Sequence, residues 1–206
     1  MRVVLLLRIT KITLYNVTFN VLRVQNNRMY KEVIKVISES ILKLLNEQIK
    51  KEFHSSYLYL GIEAYFEDQG LKGMANWFRV QAQEELDHAM KFFNYVNEVG
   101  GLAQLGTIEK VPSTYKSPLE AMKASLHHER YITDSIYKIV DLAVEERDHK
   151  TNSFLKWFVD EQVEEEANAE DNVKNLELVK DSPNGLFMIN KELAARVYVP
   201  IADPTA

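Results

Sequence analysis

QAQEELDHAM, residues 81–90, is the segment that most constrains the fold of this 206-residue chain. The surrounding sequence is free of proline and its apolar residues recur at helical spacing, so we expect the segment to be α-helical. Glu85 and His88 are three residues apart and therefore share one helix face. The same face carries Phe78 and Phe92 and should point toward a core. Charged groups buried there are costly unless they are paired or bind a metal ion.

Polar residues interrupt three further apolar stripes, each near the middle of a predicted helix. They are Glu52 in the first helix, Glu129 in the third, and Gln162 and Glu165 in the fourth. Carboxylates that converge in one core repel each other, and one or two divalent cations remove that repulsion. Oxygen ligands with a single imidazole suit iron or manganese better than a structural zinc ion. A lone Glu-x-x-His pattern is weak evidence, but four interruptions at compatible heights favour a dinuclear metal site in a helical bundle.

Helical periodicity and end signals predict four long helices and one short one. The predicted ranges are 37–67, 71–99, 117–147, 151–179 and 190–196. Ser117-Pro118-Leu119-Glu120 begins the third helix, because it combines a capping serine, a proline at the first helical position and a glutamate three residues after the cap. Ser182-Pro183-Asn184-Gly185 is interpreted as the end of the fourth helix.

The lengths of the connections predict how the helices are arranged. Short turns join the first helix to the second and the third to the fourth, so each pair forms an antiparallel hairpin. Residues 101–117 reach roughly 55 Å when extended, against roughly 45 Å for a 30-residue helix, so they can run the length of a bundle. We therefore predict an all-α fold: a four-helix bundle with one long crossover and a short fifth C-terminal helix.

Composition excludes several classes of protein and divides the chain into two parts. The absence of cysteine rules out disulfides, thiolate metal sites and a cysteine nucleophile. The formal net charge of −5 is the sum of two unlike segments. Residues 1–35 carry seven Lys/Arg and one acid, which leaves 18 basic and 29 acidic residues in 36–206. The acidic segment disfavours general nucleic-acid binding.

The first 35 residues are expected to be a basic N-terminal extension, flexible or non-native, ahead of a domain over 36–206. The apolar run 3–7 is interrupted by Arg8 and is too short for a signal sequence or a membrane span. Residues 31–34, KEVI, can be encoded by AAG-GAG-GTG-ATA, which contains a strong bacterial ribosome-binding sequence. We therefore expect translation of the natural protein to begin at Val36 or Met29, and the protein to be cytoplasmic.

Four segments together resemble one family, the bacterial and archaeal non-haem ferritins. Residues 45–59, LNEQIKKEFHSSYLY, are similar to the first helix of those proteins. Residues 81–90 resemble their second-helix motif, and FLKWFVDEQVEEE, residues 154–166, resembles their fourth. GLFMINKEL, residues 185–193, is similar to their C-terminal segment. The resemblance covers about 36–195, and it implies the ferritin-like version of the predicted bundle.

The resemblance also implies a role for each polar residue of the core. The first iron would be bound by Glu52, Glu85 and His88. Glu85 would bridge to a second iron held by Glu129 and Glu165, with Gln162 nearby. Tyr59 would lie beside the centre as a catalytic residue able to supply an electron. A third, weaker iron position would consist of Glu84, Glu161 and Glu164. His127, His128 and His149 are interpreted as surface or turn residues.

The activity that the resemblance implies is that of an iron-storage ferroxidase. Two Fe²⁺ ions would be oxidised by O₂ or H₂O₂, and the ferric product would be stored as a mineral inside a hollow homo-oligomeric shell of 24 subunits. We expect no haem, no nucleic-acid partner and no membrane association. The acidic segment 36–206 fits a shell that attracts cations.

Three alternatives stay open at this point. Bacterioferritin, rubrerythrin and di-iron oxygenases usually carry a second Glu-x-x-His in the last helix, whereas the residues three after Glu161 and Gln162 here are Glu164 and Glu165. A DNA-protecting mini-ferritin could use residues 1–35 as a basic arm, although such proteins place metal ligands between subunits. A purely structural bundle would leave the buried acids unexplained.

Overall fold

The computed structural model describes residues 37–180 and 182–201, and within these ranges it contains five α-helices and no strand. They are α1 (Glu39–Asp68), α2 (Lys72–Glu98), α3 (Pro118–Glu145), α4 (His149–Val179) and α5 (Pro183–Leu193). The predicted all-α fold is therefore confirmed. The basic segment 1–35 and the expected start at Val36 lie outside the described residues. None of the described helices is long and apolar enough to cross a membrane.

Contacts between the helices give their relative directions. Ser56 Oγ of α1 donates to the carbonyl of Ala82 in α2 at 2.7 Å, and Arg79 of α2 pairs with Glu63, so α1 and α2 are antiparallel. Along α1 and α3, Lys51 Nζ contacts Ser135 Oγ at 2.5 Å and Ser55 Oγ contacts His128 Nε2 at 2.7 Å, so these two helices are also antiparallel. It follows that α2 and α3 are parallel, as the long crossover predicts.

The crossover follows α1 from one end of the bundle to the other. Near its start, Asn46 accepts from the backbone N–H of Gln104 at 2.7 Å. Near its end, a Cβ added to Gly61 would lie 2.5 Å from the Pro112 carbonyl oxygen, so α1 has a glycine where the crossover approaches most closely. The crossover therefore lies against α1 near both of its own ends.

The predicted inward stripes form the bundle core. Leu45, Tyr59 and Phe66 of α1 are fully buried, and Phe66 stacks on Phe78 of α2 with ring centroids 5.6 Å apart. Helical spacing from Glu129 predicts an inward stripe in α3 of Met122, Leu126, Glu129, Thr133, Ile136 and Val140. Val140 alone among them is only half-buried, and the adjacent Ile139 is buried instead. Aromatic side chains form two clusters in the core, and a layer of polar side chains lies between them at mid-height of the bundle.

The fifth helix begins seven residues earlier than the sequence interpretation placed it. Ser182 does not simply end α4: its Oγ accepts from the N–H of Gly185 at 3.2 Å and caps α5, with Pro183 at the first helical position. The same serine–proline signal begins α3, where Ser117 Oγ accepts from Glu120 N–H. The fourth helix does end at Val179 as predicted, but the segment that follows also begins α5, as Ser117-Pro118 begins α3.

Docking of α5 completes the start of α2. Leu71 at the N-cap of α2 offers no side-chain acceptor, and Asn190 Oδ1 of α5 instead accepts from the N–H groups of Gly73 and Met74 at 2.8 and 3.0 Å. A Cβ on Gly73 would lie 1.6 Å from the Asn190 carbonyl oxygen, so only glycine permits this approach. After α5 the chain continues along α2 to Ile201.

Candidate metal centre

All six polar residues predicted to face inward form one buried layer across the four long helices. Each is at most 5% exposed: Glu52, Glu85, His88, Glu129, Gln162 and Glu165. The heptad and i, i+3 spacings place them inward because the flanking positions of the same stripes are large apolar residues that must be buried. The fold therefore keeps charged groups in the core at the expense of their hydration.

Glu52, Glu85 and His88 form the tightest group in this layer. One ligand atom from each lies within 4.8 Å of the other two, and Glu85 Oε2 is 3.5 Å from His88 Nδ1. Glu52 Oε2 and Glu85 Oε2 are buried without a hydrogen-bond partner. Buried carboxylate oxygens without a hydrogen-bond donor are rare and unfavourable. This group therefore has suitable ligand atoms, two of them free of hydrogen bonds, for a divalent cation.

A chain of hydrogen bonds behind Glu52 fixes its orientation. Gln48 Nε2 donates to Glu52 Oε1 at 2.8 Å, and Ser135 Oγ donates to Gln48 Oε1 at 2.5 Å. Lys51 Nζ in turn donates to Ser135 Oγ. Sequence reasoning missed Gln48, although its position four residues before Glu52 on the same helix face is the signal that could have found it.

Glu129 and Glu165 lie on the other side of the layer and are held by neutral side chains. The Tyr59 hydroxyl donates to Glu129 Oε1, and Gln162 Nε2 is 3.5 Å from Glu129 Oε2 and 3.2 Å from Thr133 Oγ1. Gln81 Nε2 donates to Glu165 Oε2 at 2.8 Å.

Burial and mutual repulsion raise the pKa values of Glu52, Glu129 and Glu165. Burial, followed by the negative charge of Glu85, raises the pKa of Glu52 to about 8 and that of Glu165 to about 7. Burial and the charge of Glu165 also raise the pKa of Glu129. The negative charge of Glu85 therefore interacts with a carboxylate in each half of the layer.

His88 shows the opposite balance. Burial by itself would lower its pKa, but the Glu85 carboxylate 3.5 Å away, with the charges of Glu52 and Glu165, outweighs it and raises the pKa to about 10. A protonated His88 is thus the internal counter-charge for the carboxylates in the protein without metal ions. A metal cation would replace that proton.

The three residues predicted for a third position lie at the edge of the layer. Glu161 is half-buried, and its carboxylate, His88 and Glu165 bring ligand atoms within 4.8 Å of one another. Burial raises the pKa of Glu161, and the charge of the exposed Glu164 adds to it. Glu84 is half-buried, and its carboxylate accepts from Arg196 at 2.5 Å. Arg196 is a contact that sequence reasoning missed, since 112 residues separate the two partners.

The sequence pattern of the ferritin-like domain family matches residues 42–179, which includes the whole polar layer. The chain belongs to the ferritin family. It is 40% identical over 158 residues to a probable bacterial non-heme ferritin-like protein of Haemophilus influenzae, covering 77% of this chain and 96% of that protein. It is 36% identical over 163 residues to a bacterial non-heme ferritin of Staphylococcus aureus, covering 79% of this chain and 98% of that protein.

Solved structures give the same relationship. An open pore ferritin of the hyperthermophilic archaeon Archaeoglobus fulgidus superposes with a TM-score of 0.78 at 46% identity, covering 79% of this chain and 99% of that one. A structure described as a humanized archaeal ferritin superposes with a TM-score of 0.79, also at 46% identity. The predicted ferritin-like bundle is thus confirmed, and the family resemblance with it.

One histidine of this ferritin is not the surface residue that its sequence context indicated. His128 is half-buried, its Nε2 lies 2.7 Å from Ser55 Oγ, and its ring meets the Tyr59 ring edge-on at 6.0 Å. Burial lowers the pKa of His128 to about 4, so this imidazole is neutral at pH 7. His128 therefore packs behind Tyr59, whereas His127 and His149 are exposed as expected.

Proposed function

We propose that this ferritin oxidises Fe²⁺ to Fe³⁺ at a dinuclear carboxylate centre and stores the product as a ferric mineral inside a homo-oligomeric shell of 24 subunits. The observation that carries the proposal is the buried layer itself. It contains four carboxylates and one imidazole, and two of its carboxylate oxygens, Glu52 Oε2 and Glu85 Oε2, lack any protein donor. The ferritin family and fold support iron storage in general.

The two halves of the layer suggest two adjacent positions for the substrate ions. Glu52, Glu85 and His88 would hold the first Fe²⁺, and Glu129 and Glu165, with Gln162 nearby, would hold the second. Glu85 would bridge them, in line with its electrostatic effect on both Glu52 and Glu165. Oxygen ligands and one imidazole match the preferences of iron.

Holding two Fe²⁺ ions together supplies two electrons in one place. Two Fe²⁺ become two Fe³⁺, and the two electrons with two protons reduce O₂ to H₂O₂, or H₂O₂ to two water molecules. The carboxylates favour the higher charge of the ferric product. The protons that Glu52 and His88 lose when Fe²⁺ binds are available to the reduced oxygen species.

Tyr59 is placed to assist this reaction. Its hydroxyl donates to Glu129 Oε1, and its ring is fully buried against Phe78 and His128. We propose that Tyr59 can supply one electron to the centre. Tyr59 and three Fe²⁺ ions together then provide the four electrons that, with four protons, reduce O₂ to two water molecules, and the phenolic proton of Tyr59 is one of the four. Glu84, Glu161 and Glu164 are proposed to form a third, weaker iron position beside the pair.

The rate of Fe²⁺ oxidation by the assembled protein tests the proposal. Replacement of Glu52 or His88 by alanine removes a ligand of the first position, so the initial rate should fall by about 100-fold or more. The rate is followed by the absorbance of the ferric product after mixing with Fe²⁺ in air.

His149→Ala, at an exposed histidine at the start of α4, is the matched control and should leave the rate unchanged. Gel filtration confirms that each variant assembles like the unsubstituted protein. Initial rates that stay within twofold in both Glu52→Ala and His88→Ala would exclude a ferroxidase centre at this site.

A further inference from the structure

The segment that follows α5 lies along α2 beside the metal centre. Asn76 Nδ2 of α2 donates to the carbonyl of Arg196 at 2.9 Å. Further along the same helix, Asp87 Oδ2 accepts from the Tyr198 hydroxyl at 2.6 Å and lies 3.4 Å from the N–H of Ile201. Asn76 and Asp87 are about 16 Å apart along the helix axis. Residues 194–201, here termed the C-terminal strap, thus cover the part of α2 that carries Gln81, Glu84 and Glu85.

Arg196 is the residue of the strap that reaches toward the centre. One guanidinium nitrogen donates to Glu84 Oε2 at 2.5 Å and the other donates to Gln81 Oε1. The guanidinium carbon lies 4.0 Å from the centroid of the Trp77 ring, which fixes the plane of the group from behind. Both charged side chains are mostly buried, with Arg196 18% and Glu84 22% exposed. This is therefore a built contact rather than a solvated surface pair.

The contact satisfies the carboxylate that a third metal ion would need. Burial raises the pKa of Glu84, and the positive charge of Arg196 counteracts that effect more than any other neighbour does. The Glu84 oxygen that accepts from the guanidinium is not free to bind a metal ion, and two cations at one carboxylate repel each other.

We propose that Arg196 is a tethered counter-charge that occupies the third iron position and competes with metal ions for Glu84. This inference rests on the proposed function, because it concerns a position beside the dinuclear pair. A third ion binds only when the guanidinium leaves Glu84. The strap therefore sets the affinity of the third position without contributing a ligand to it.

Departure of Arg196 also affects the dinuclear pair through Gln81. The same guanidinium holds Gln81 Oε1, and Gln81 Nε2 donates to Glu165 Oε2 at 2.8 Å. When Arg196 moves away, Gln81 loses the donor that fixes its amide, and its hold on Glu165 weakens. The hydrogen bond from Gln81 to Glu165 itself remains, so the effect on the affinity of the pair should be small, within about twofold.

Titration of the assembled full-length chain with Zn²⁺, a redox-inert probe, tests the proposal by isothermal calorimetry. Arg196→Gln should make the third ion per subunit bind about tenfold more tightly, the scale of one charge-assisted hydrogen bond, and leave the two stronger ions within about twofold. Arg79→Gln is the matched control. Arg79 is also an arginine paired with carboxylates, but its partners are Glu63 and Glu67 of α1, away from the third position. All three Zn²⁺ affinities of Arg79→Gln should therefore stay unchanged.

A third-ion affinity in Arg196→Gln that is equal to or below that of the unsubstituted protein would overturn the proposal. If Arg196→Gln fails to assemble, Arg196→Lys replaces it, since a single ammonium cannot hold both Glu84 and Gln81. A third-ion affinity in Arg196→Lys above that of the unsubstituted protein then supports the competition. A third-ion affinity equal to or below that of the unsubstituted protein overturns the proposal. The proposed function fails separately, if His88→Ala leaves the two stronger binding steps unchanged.

Discussion

At the scale of single residues, the candidate metal centre is a group of buried acids, two of which, Glu52 and His88, are expected to hold protons in the absence of a cation. The pKa of Glu52 is about 8 and that of His88 about 10, so both carry a proton at pH 7 in the absence of metal ions. Metal binding requires the carboxylate and the neutral imidazole, and therefore releases protons. As pH rises from 7 to 9, Glu52 and Glu165 lose their protons without metal, so fewer protons are released and the apparent affinity increases.

Calorimetric Zn²⁺ titrations in buffers of different ionisation enthalpy measure this proton release at pH 6.5, 7.5 and 9. Glu52→Gln is the matched control, because it removes one of the titrating groups and should lower the number of protons released at pH 7.5. Proton release that is absent at pH 7.5, or that grows toward pH 9, would contradict the prediction.

The residues of the centre were predictable from sequence to different degrees. Glu52, Glu85 and Glu129 stand out because each breaks an apolar stripe, and local periodicity reports burial directly. Gln48 and His128 are also polar residues close to inward faces, but a neutral side chain breaks a stripe less visibly. Arg196 could not be assigned at all, because its contacts depend on where α5 docks and not on any local pattern.

At the scale of the helices, α5 and α2 depend on each other. Asn190→Ala removes the acceptor for the N–H groups of Gly73 and Met74, which should cost about 1 kcal/mol, the usual effect of losing a helix cap. Amide hydrogen exchange at Gly73 and Met74 should then be faster. Asn184→Ala, at an exposed position in the first turn of α5, is the control, and unchanged exchange in Asn190→Ala would contradict the capping role.

The long helices were predicted within a few residues, whereas the short one was displaced. Each long helix has many apolar positions that repeat the same period, so an error at one position changes little. The prediction for α5 begins at Asn190 because it treats Ser182-Pro183 only as the point where α4 stops, although the same pairing of serine and proline, Ser117-Pro118, begins α3. A capping serine followed by proline marks the first turn of a helix, and it can stand directly after the end of another helix.

At the scale of the whole molecule, the isolated chain exposes apolar side chains that a monomer would not need. Tyr57 and Leu60 of α1 are 49% and 46% exposed, and Leu86 and Met90 of α2 are 45% and 40% exposed. Phe187 and Met188 of α5 have larger exposed fractions than these four side chains. Apolar side chains gathered on the outer faces of helices indicate surfaces that contact other copies of the chain.

Leu60→Arg should therefore break the assembly into smaller particles and leave the bundle intact. The substitution places a charge where apolar contact is expected, but Leu60 points away from the polar layer, so the metal centre of each chain is retained. Light scattering after gel filtration gives the particle mass, circular dichroism gives the helix content, and Zn²⁺ titration gives the number of strong sites.

Ser153→Arg adds the same charge at an exposed polar position of α4 and should keep the particle mass. A Leu60→Arg protein of unchanged mass would show that this face is not an assembly surface. Loss of the strong Zn²⁺ sites together with mass would instead show that the centre depends on neighbouring chains, contrary to a ligand set drawn from four helices of one subunit.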